Sequence, residues 1–523
     1  MTSIALPGRE NLARRIFFIV FLLEFTYGTY LGLNNILLED AVSRTANAYY
    51  VLNVEPYRFA SMGLVWNPLP STLQLPIIAL AKFWKPLATQ GIGAAFISAV
   101  FGAWSSSILI QTYQRMRVQE VWAIVFTLLS ALNPYIFFYG ANGMSEIISY
   151  SFTVLIVCKL TLWMKYGATS SLVSIAIGFV GLFLTRYESI PFASAIGMGI
   201  AAHILFSDNE KMYYIRGKRT ETWRYLEGTL MLIFAPIAYT FLSWMMYNLV
   251  ITGNPIYFLN SAYSNLAFSA HYSPFNGIVE AFSFLWARTW PFLILVMTII
   301  AIRLFSGTLL KVDTFIFLSC ALVLTVFQFV MLLNGSSAGH VRYMSYPLLV
   351  CFAWLPYELS PAENSLLPDT KKTAKVILLA AMVFLVIWFG TAMNSNETFR
   401  VDTLLTVPEG SQQVADYINE RLSDKRILMD AYRAYYVFMN IYFPDNIVIS
   451  SSENFNESLA DPAAHGIDYI LVPDSGRFGD LDAVNVAYHS LFDSGAYWCT
   501  EEVALGEFKL FRVTDRVWGD END

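Results

Sequence analysis

Seven ionisable side chains stand where apolar segments of this chain begin or end. They are Glu39, Asp40, Glu146, Arg186, Glu188, His340 and Arg342. An ionisable group near a bilayer is costly to keep unless it faces a wet cavity or a partner, so such residues are functional candidates. Carboxylates and cations held together at one membrane edge would suit a phosphorylated lipid and a hydroxyl acceptor.

Transfer of a group from such a lipid phosphate to a hydroxyl would require two things of these residues. The departing phosphate needs cationic stabilisation, and the attacking hydroxyl needs a carboxylate base within hydrogen-bond reach, on the side opposite the phosphate. Asp40 is the predicted base. Glu39, which points about 100° away along a helix, would orient the acceptor, a cation or Arg44.

The other predicted site residues would bind the substrates. They are Arg44, Trp66, Asn67, Lys82, Lys85, Asn142, Arg186, Glu188, His340, Arg342 and Tyr343. Among them, the cations Arg186, Arg342, Lys82 and Lys85 are the candidate phosphate ligands. Trp66 would stack on the transferred group, and Asn67 would hydrogen-bond to it.

Structural roles compete with the acidic assignments. Asp40 is also suited to N-cap a helix that starts at Ala41 and to pair with Arg44 four residues on. Glu146 is favoured at a helix start by the helix dipole. Arg186 and Glu188 are close enough in sequence to form an interfacial ion pair.

The cations and one buried acid have structural alternatives as well. His340 and Arg342 would serve as rim residues that extend towards headgroups. Lys82 and Lys85 suit headgroup anchoring as well as phosphate binding. Glu24, in the middle of the first apolar run, is predicted to be a buried structural partner, roughly 20 Å of helix below Asp40.

The composition places these residues in a membrane protein. The 523 residues are 56% hydrophobic and 14% charged, against roughly a quarter charged in soluble domains. An ordinary soluble enzyme and a disordered chain are thereby excluded. Apolar runs close to the ~20 residues of a membrane-spanning helix recur along the sequence, and no pair of the four cysteines is placed to close a disulfide outside the membrane.

Eleven membrane spans are predicted, with a cytoplasmic N-terminus. They lie near 16–37, 91–112, 119–139, 147–163, 170–185, 189–206, 227–250, 281–302, 313–333, 344–357 and 376–393. In this orientation every inside connection carries lysine or arginine, as the positive-inside rule requires. Residues 67–81, which three prolines interrupt, are predicted to be a re-entrant or interfacial piece rather than another span.

The predicted fold is a polytopic α-helical membrane domain followed by a small soluble α/β domain. The membrane domain covers residues 1–396, with a large first extracytoplasmic loop at 38–90, and the α/β domain covers 397–523. Helix-like and strand-like pieces are predicted to alternate in the α/β domain, at 410–422, 426–430, 434–443, 446–450, 453–464, 468–473 and 507–514. Residues 397–523 hold 23 acidic and 9 basic side chains, whereas residues 1–396 hold 17 and 24. An odd number of spans places the predicted active site and the C-terminal domain outside the cell membrane.

Two other functions fit a protein of this composition. A transporter or lipid flippase is expected to carry charges near the bilayer midplane and to contain repeated halves. Here only Glu24 is predicted to lie deep in the bilayer, and no internal repeat is evident. A non-catalytic envelope scaffold would simply display the acidic tail. The tail lacks a glycine-rich phosphate loop, and no nucleic-acid partner is predicted.

Several short runs resemble a known family. LEDAVSRTANAYYVL, LVWNPLPS, NPYIFFYGANGMSE, TRYE and HVRYMSYP are similar to runs in polyprenyl-phosphate-dependent glycosyltransferases of the GT-C type. The resemblance covers about residues 10–393 and points to the branch of protein O-mannosyltransferases and lipid A aminoarabinose transferases. It implies a membrane glycosyltransferase, a polyprenyl-phosphate sugar donor, and a glycan, lipid or protein acceptor.

The resemblance also implies roles for individual residues. An acidic motif just after the first span is catalytic in that family, and Glu39 and Asp40 occupy that place. Glu146 is the nearest match to a second acid at the outer end of a later span, which makes it the third predicted catalytic acid. Attack of the acceptor opposite the phosphate would invert the anomeric centre. Arg342 matches, in position, the cations that hold the lipid phosphate. A divalent cation, Mg²⁺ or Mn²⁺, is a candidate cofactor, although the first loop has no Asp-x-Asp pattern.

Overall fold

The computed structural model describes residues 7–207, 219–261, 264, 275, 277–361, 370–400, 407–476 and 479–517. The chain divides into two compact units. The membrane-helix unit comprises Met1–Tyr27, Ser98–Ala141 and Ser145–Val401, and the loop–sheet unit comprises Gly28–Ile97, Asn142–Met144 and Asp402–Asp523. The first loop, predicted as part of the membrane domain, therefore groups with the C-terminal residues. Residues 401–406, 477–478 and 518–523 of the predicted C-terminal domain lie outside the described residues.

Eight helices in the described ranges are long and apolar enough to cross a membrane. They are Pro7–Leu33, Ile92–Arg115, Glu146–Tyr166, Ser189–Phe206, Arg219–Thr252, Ile278–Phe305, Val312–Leu333 and Thr370–Ser395. The pair Glu120–Ala131 and Pro134–Ala141 would add a ninth span, bent by 64° where Pro134 cannot continue the helical hydrogen bonding. The protein is thus an integral membrane protein.

The two remaining predicted spans are also helices, but short ones, Thr169–Phe183 and Tyr346–Glu358. All eleven predicted segments are therefore helical, which confirms the polytopic α-helical fold. Eight or nine of them, rather than eleven, meet the length and composition of a full span.

The helix Glu146–Tyr166 is the most buried of the long helices in the membrane-helix unit. Close packing against the helix Thr169–Phe183 depends on glycine, because a Cβ on Gly181 would lie 2.2 Å from the ring of Phe152. The other main neighbour of the helix Glu146–Tyr166 is the helix Tyr346–Glu358. The first residue of this central helix, Glu146, is consequently held on a closely packed support.

The loop–sheet unit contains one five-stranded sheet. The strands are β1 Ile427–Met429, β2 Ile447–Ile449, β3 Tyr469–Pro473, β4 Cys499–Leu505 and β5 Phe508–Val513, in the order β2-β1-β3-β5-β4. β1 pairs in parallel with β2 and β3, while β5 pairs antiparallel with β3 and β4. The predicted small α/β domain is confirmed. β4 was not predicted, because it is an edge strand with mostly exposed side chains.

Helices and short 3-10 turns surround this sheet. The helices of the loop–sheet unit are Glu39–Asn53, Leu69–Ile78, Pro86–Thr89, Ser411–Arg421, Ala431–Asn440, Phe455–Ala460, Ala483–Ala487 and Leu491–Ser494. The 3-10 turns are Phe59–Met62, Ala79–Lys82, Pro444–Asn446 and Gly479–Leu481.

One hydrophobic core joins the first loop to the C-terminal sheet. Val42 and Ala46 of the helix Glu39–Asn53 share this core with Met429 of β1. The ring of Tyr50 lies 5.5 Å from that of Phe438, in an edge-to-face arrangement. Because burial of apolar surface drives folding, the first loop and the C-terminal segment are parts of one folded body.

The proline-interrupted segment 67–81 forms the helix Leu69–Ile78 and the start of the turn Ala79–Lys82. Ten helical residues rise about 15 Å, half of the ~30 Å thickness of the hydrocarbon layer, so the helix is too short to span it. Thr45 donates a hydrogen bond to Gln74 Oε1 at 2.8 Å, which fixes this helix to the helix Glu39–Asn53.

Candidate functional site

Four of the predicted site residues form a buried ion cluster in the membrane-helix unit. Arg186 donates from Nη1 to Glu146 Oε1 at 2.8 Å and from Nη2 to Glu188 Oε1 at 3.0 Å. Arg342 Nε lies 3.4 Å from Glu146 Oε1, a looser charge contact. The Glu146 side chain is only 2% exposed. Residues far apart in sequence thus meet around one carboxylate.

Three different local structures position this cluster. Glu146 begins the central helix Glu146–Tyr166, and Arg186 and Glu188 lie in the short connection before the helix Ser189–Phe206. Arg342 belongs to the 3-10 turn Val341–Met344. Its carbonyl accepts hydrogen bonds from Tyr150 Oη at 3.3 Å and from Ser345 Oγ at 2.9 Å, so its backbone is fixed to the central helix.

Aromatic rings complete the cluster. The ring of Tyr343 lies 5.0 Å from the Arg186 guanidinium carbon and 5.5 Å from that of Arg342, which are cation–π distances. His340 lies edge-on to Tyr343, with 5.6 Å between the ring centroids. All six predicted site residues of the membrane-helix unit are therefore close neighbours.

The charges of the cluster are strongly coupled. Burial would raise the pKa of the Glu188 carboxyl, but the charge of Arg186 and its hydrogen bond outweigh burial and hold that pKa below its ordinary value. Arg186 and Glu188 do form the ion pair given by the structural alternative, although Arg186 also reaches Glu146. Glu146 Oε2 is buried without a hydrogen-bond partner among the described residues. Two guanidinium groups held beside such a carboxylate can stabilise charge that develops on a phosphate.

The acids of the first loop lie in the first turn of the helix Glu39–Asn53 in the loop–sheet unit. Leu38 is the N-cap residue, so the alternative role of Asp40 as N-cap is wrong, and Asp40 is the second residue of the helix. Arg433 Nη1 donates to Glu39 Oε1 at 3.2 Å, and Arg433 Nη2 donates to Glu507 Oε2 at 2.7 Å. The partner of Glu39 is thus an arginine from the C-terminal segment.

The environment of Glu39 shifts its proton affinity. Burial raises the pKa of the Glu39 carboxyl, Arg433 opposes that rise, and the neighbouring Asp40 adds to it. Arg433 is 9% exposed as a side chain, while Glu39 is 40% exposed. The ion pair is therefore buried on the arginine side and open to water on the carboxylate side.

The other predicted residues of the loop–sheet unit fall into separate places. The Arg44 guanidinium lies 4.5 Å from the centre of the Trp66 ring, so one indole face already carries a cation. Asn67 is buried. Asn142 Oδ1 accepts a hydrogen bond from the backbone N–H of Met144 at 3.0 Å, which closes a local turn.

The two lysines differ in their surroundings. Lys82 is exposed and lies 4.9 Å from the ring of Phe83. Lys85 donates to the carbonyl of Ile441 at 3.0 Å and lies 4.1 Å from the ring of Tyr442. Burial lowers the pKa of Lys85 to about 8. Lys85 is therefore already engaged by the C-terminal segment.

Arg433 and Glu507 were missed by the sequence analysis. Arg433 lies in the helix Ala431–Asn440, where the surrounding residues Ala434 to Met439 are all buried. A lone arginine in such a run is a signal for a buried ion pair. Its partner could not be read from the sequence, because Glu39 and Arg433 are separated by most of the chain.

Glu24 occupies a cavity of its own in the membrane-helix unit. It is 1% exposed, and its Oε2 has no hydrogen-bond partner among the described residues. Two glycines make room for the carboxylate, since a Cβ on Gly102 or on Gly140 would lie 2.2 Å from one of its oxygens. Because the first helix ends at Leu33, a continuous helical rise does not connect Glu24 to Asp40.

The part of the chain that the structure describes contains no group of three histidine, cysteine, aspartate or glutamate side chains arranged to hold a metal ion. The divalent cation, Mg²⁺ or Mn²⁺, stays a prediction, and no chemical step is assigned to a metal.

Comparison with known proteins shows a similarity of fold rather than of sequence. No protein-family model matches the chain, and no curated protein matches its sequence. The fold is similar to that in the crystal structure of ArnT from Cupriavidus metallidurans bound to undecaprenyl phosphate, with a TM-score of 0.54 over 97% of this chain and 98% of that one. The two sequences are 11% identical. The chain thus has an ArnT-like fold, which agrees with the predicted helical membrane domain and C-terminal sheet domain.

Proposed function

We propose that this chain is an integral-membrane glycosyltransferase of the GT-C type, which transfers a sugar from a polyprenyl phosphate to an extracytoplasmic hydroxyl group. The buried cluster of Glu146, Arg186 and Arg342 carries the proposal, because it holds paired guanidinium groups within a membrane-helix unit. Support also comes from the ArnT-like fold, since that ArnT structure binds undecaprenyl phosphate.

The proposed reaction forms one carbon–oxygen bond and breaks another. The acceptor oxygen attacks the anomeric carbon, the bond from that carbon to the phosphate oxygen breaks, and polyprenyl phosphate leaves with the electron pair. Arg342 and Arg186 stabilise the charge that the leaving phosphate gains. Attack from the opposite face inverts the anomeric centre.

The proton of the acceptor hydroxyl goes to a carboxylate. Asp40 is the proposed base, with Glu39 as its neighbour in the same helical turn. Glu146, which contacts both arginines, sets their positions and is the second candidate acid. A hexosyl or a pentosyl group would suit this chemistry. The similarity to ArnT supports the aminoarabinose-transferase branch of the family more than the mannosyltransferase branch.

The proposed orientation has a cytoplasmic N-terminus, with the site and the C-terminal domain on the extracytoplasmic side. It rests on the distribution of lysine and arginine between the apolar segments. Protease added to right-side-out vesicles should then release a fragment close to 397–523. Full protection of that fragment would contradict the orientation.

Sugar transfer in reconstituted vesicles tests the function. The purified chain is incubated with a radiolabelled sugar on polyprenyl phosphate and with hydroxyl acceptors, and labelled product is counted. Arg342→Ala should lower transfer strongly, while Arg421→Ala, at an exposed position of the loop–sheet unit, serves as the matched control. Movement of intact donor across the bilayer without transfer would instead indicate a flippase, and inactivity in both assays would favour a scaffold.

A further inference from the structure

The loop–sheet unit carries an aromatic–lysine face, formed by Leu80, Lys82, Phe83, Trp84, Lys85, Tyr442 and Phe443. Leu80, Phe83 and Trp84 are 52%, 78% and 48% exposed, and Tyr442 and Phe443 are 67% and 46% exposed. Clustered apolar side chains at a surface mark contact with another apolar phase or partner. A second copy, a protein partner and the lipid surface are the available occupants.

Lys85 joins the two segments that make this face. Its ammonium group contacts the Ile441 carbonyl and the Tyr442 ring, while Phe83 and Trp84 immediately precede it in sequence. The helix Pro86–Thr89 packs against the helix Ala431–Asn440. The first loop and the C-terminal segment therefore present these rings together.

Chain connectivity favours lipid as the occupant. The apolar helix Ile92–Arg115, long enough to cross a membrane, begins only a few residues after Trp84. The face is thus tethered close to one end of a span. Aromatic rings together with lysines are the side chains enriched where a membrane meets water, since one end of each side chain is apolar and the other is hydrated.

We propose that the aromatic–lysine face is a lipid-docking surface, on which the C-terminal sheet domain rests in the headgroup layer of the bilayer. The rings enter the headgroup layer and Lys82 contacts phosphate groups. Residues 397–523 carry more acidic than basic residues, so anionic lipids repel the domain as a whole. Burial of the apolar rings, rather than charge attraction, therefore holds the domain on the bilayer. The docking consequently persists on a zwitterionic phosphatidylcholine bilayer.

Spin labels on the full chain in phosphatidylcholine nanodiscs test this proposal. Tyr442→Cys places a nitroxide on the aromatic–lysine face. Tyr497→Cys is the matched control, because Tyr497 is an aromatic residue of the same sheet domain, 73% exposed and outside the face. The four native cysteines are buried, and the unsubstituted chain gives the labelling background. Collision rates with oxygen, which partitions into lipid, and with a water-soluble nickel chelate are then compared.

The expected result is oxygen-dominated collision for the label at position 442 and nickel-dominated collision at 497. Phe83→Cys provides a second reporter on the same face if Tyr442→Cys does not fold. Nickel-dominated collision at the folded reporter positions of the face would overturn the proposal. Dipolar broadening that disappears on dilution with unlabelled chain would also overturn it, because a second copy would then cover the face. Neither result depends on sugar transfer.

Discussion

Arg433 should be the most sensitive position of the loop–sheet unit to charge removal. It is the shared donor to Glu39 of the first loop and Glu507 of the β4–β5 turn. Arg433→Met keeps most of the length of the side chain but removes both hydrogen bonds and the positive charge. Two carboxylates are then left beside a side chain that cannot compensate them.

The magnitude follows from the two contacts. A hydrogen bond to a charged group contributes about 1.5–3 kcal/mol, but Glu39 and Glu507 are 40% and 21% exposed, so solvent screening reduces both contributions. We expect Arg433→Met to lower the free energy of unfolding of this unit by about 2–4 kcal/mol. For a unit of this size that corresponds to a drop of roughly 4–16 °C in the unfolding midpoint.

The loss of unfolding free energy in Arg433→Met should be larger at neutral pH than at low pH. Burial raises the pKa of Glu39 above its ordinary value and Arg433 opposes that rise, so the pKa rises further in the variant. A group whose folded-state pKa exceeds its unfolded value contributes its full stability at low pH and loses it as pH rises through the folded pKa. The difference between the variant and the native chain should therefore be large near pH 7 and shrink as the pH falls towards 4.

Intrinsic tryptophan fluorescence during heating in detergent micelles gives the midpoint at each pH. Arg421→Met at an exposed position is the control and should change the free energy of unfolding by less than about 0.5 kcal/mol. In the Arg433→Met background, Glu39→Gln should restore part of the loss, because it removes an uncompensated carboxylate. An unchanged midpoint for Arg433→Met, or a loss that is the same at pH 4 and pH 7, would refute the reasoning.

Three other variants probe the acids, the phosphate ligand and the Glu24 cavity. Asp40→Asn should lower turnover by roughly 10²–10⁴-fold while the free energy of unfolding changes by less than about 1 kcal/mol, the contribution of an acid near a helix N-terminus. Native turnover would remove Asp40 from the mechanism. Arg342→Ala should weaken donor binding by about 1.5–3 kcal/mol, measured by titration of the lipid donor, and unchanged affinity would assign Arg342 to the membrane rim. Gly140→Ala places a Cβ 2.2 Å from Glu24 Oε1 and should destabilise the chain by about 1–3 kcal/mol. Gly228→Ala is the control, because its Cβ enters open space. Equal unfolding midpoints in the two variants would contradict this expectation.

The elements and one of the two charged clusters were predictable because their signals are local. Apolar runs marked the helices, and short apolar runs between polar segments marked β1, β2 and β3, which are fully buried. The convergence of Glu146 and Arg342 followed from alternation of the spans, since that rule places residues on a membrane side whatever their separation in sequence.

The pairing of the first loop with the C-terminal segment was not predictable in this way. Its evidence is a shared core, in which Val42 and Met429 take part, and the contact from Arg433 to Glu39. Neither the shared core nor the ion pair produces a local sequence pattern, because each half of such a pairing has the pattern of an ordinary amphipathic helix or strand. The edge strand β4 was missed for a related reason, since exposed polar residues interrupt the alternation that marks a strand.

The Arg433 ion pair bears on which first-loop acid accepts the proton. A general base gains and loses a proton in every turnover, and a protonated Glu39 would lose its charge contact with Arg433 each time. That contact links the first-loop helix to the C-terminal segment, so protonation at Glu39 would weaken the body that holds both acids. Asp40, one residue further along the same helical turn, can accept a proton without disrupting that pair. This argument supports the proposal that Asp40 is the base and that Glu39 fixes the helical turn that carries Asp40.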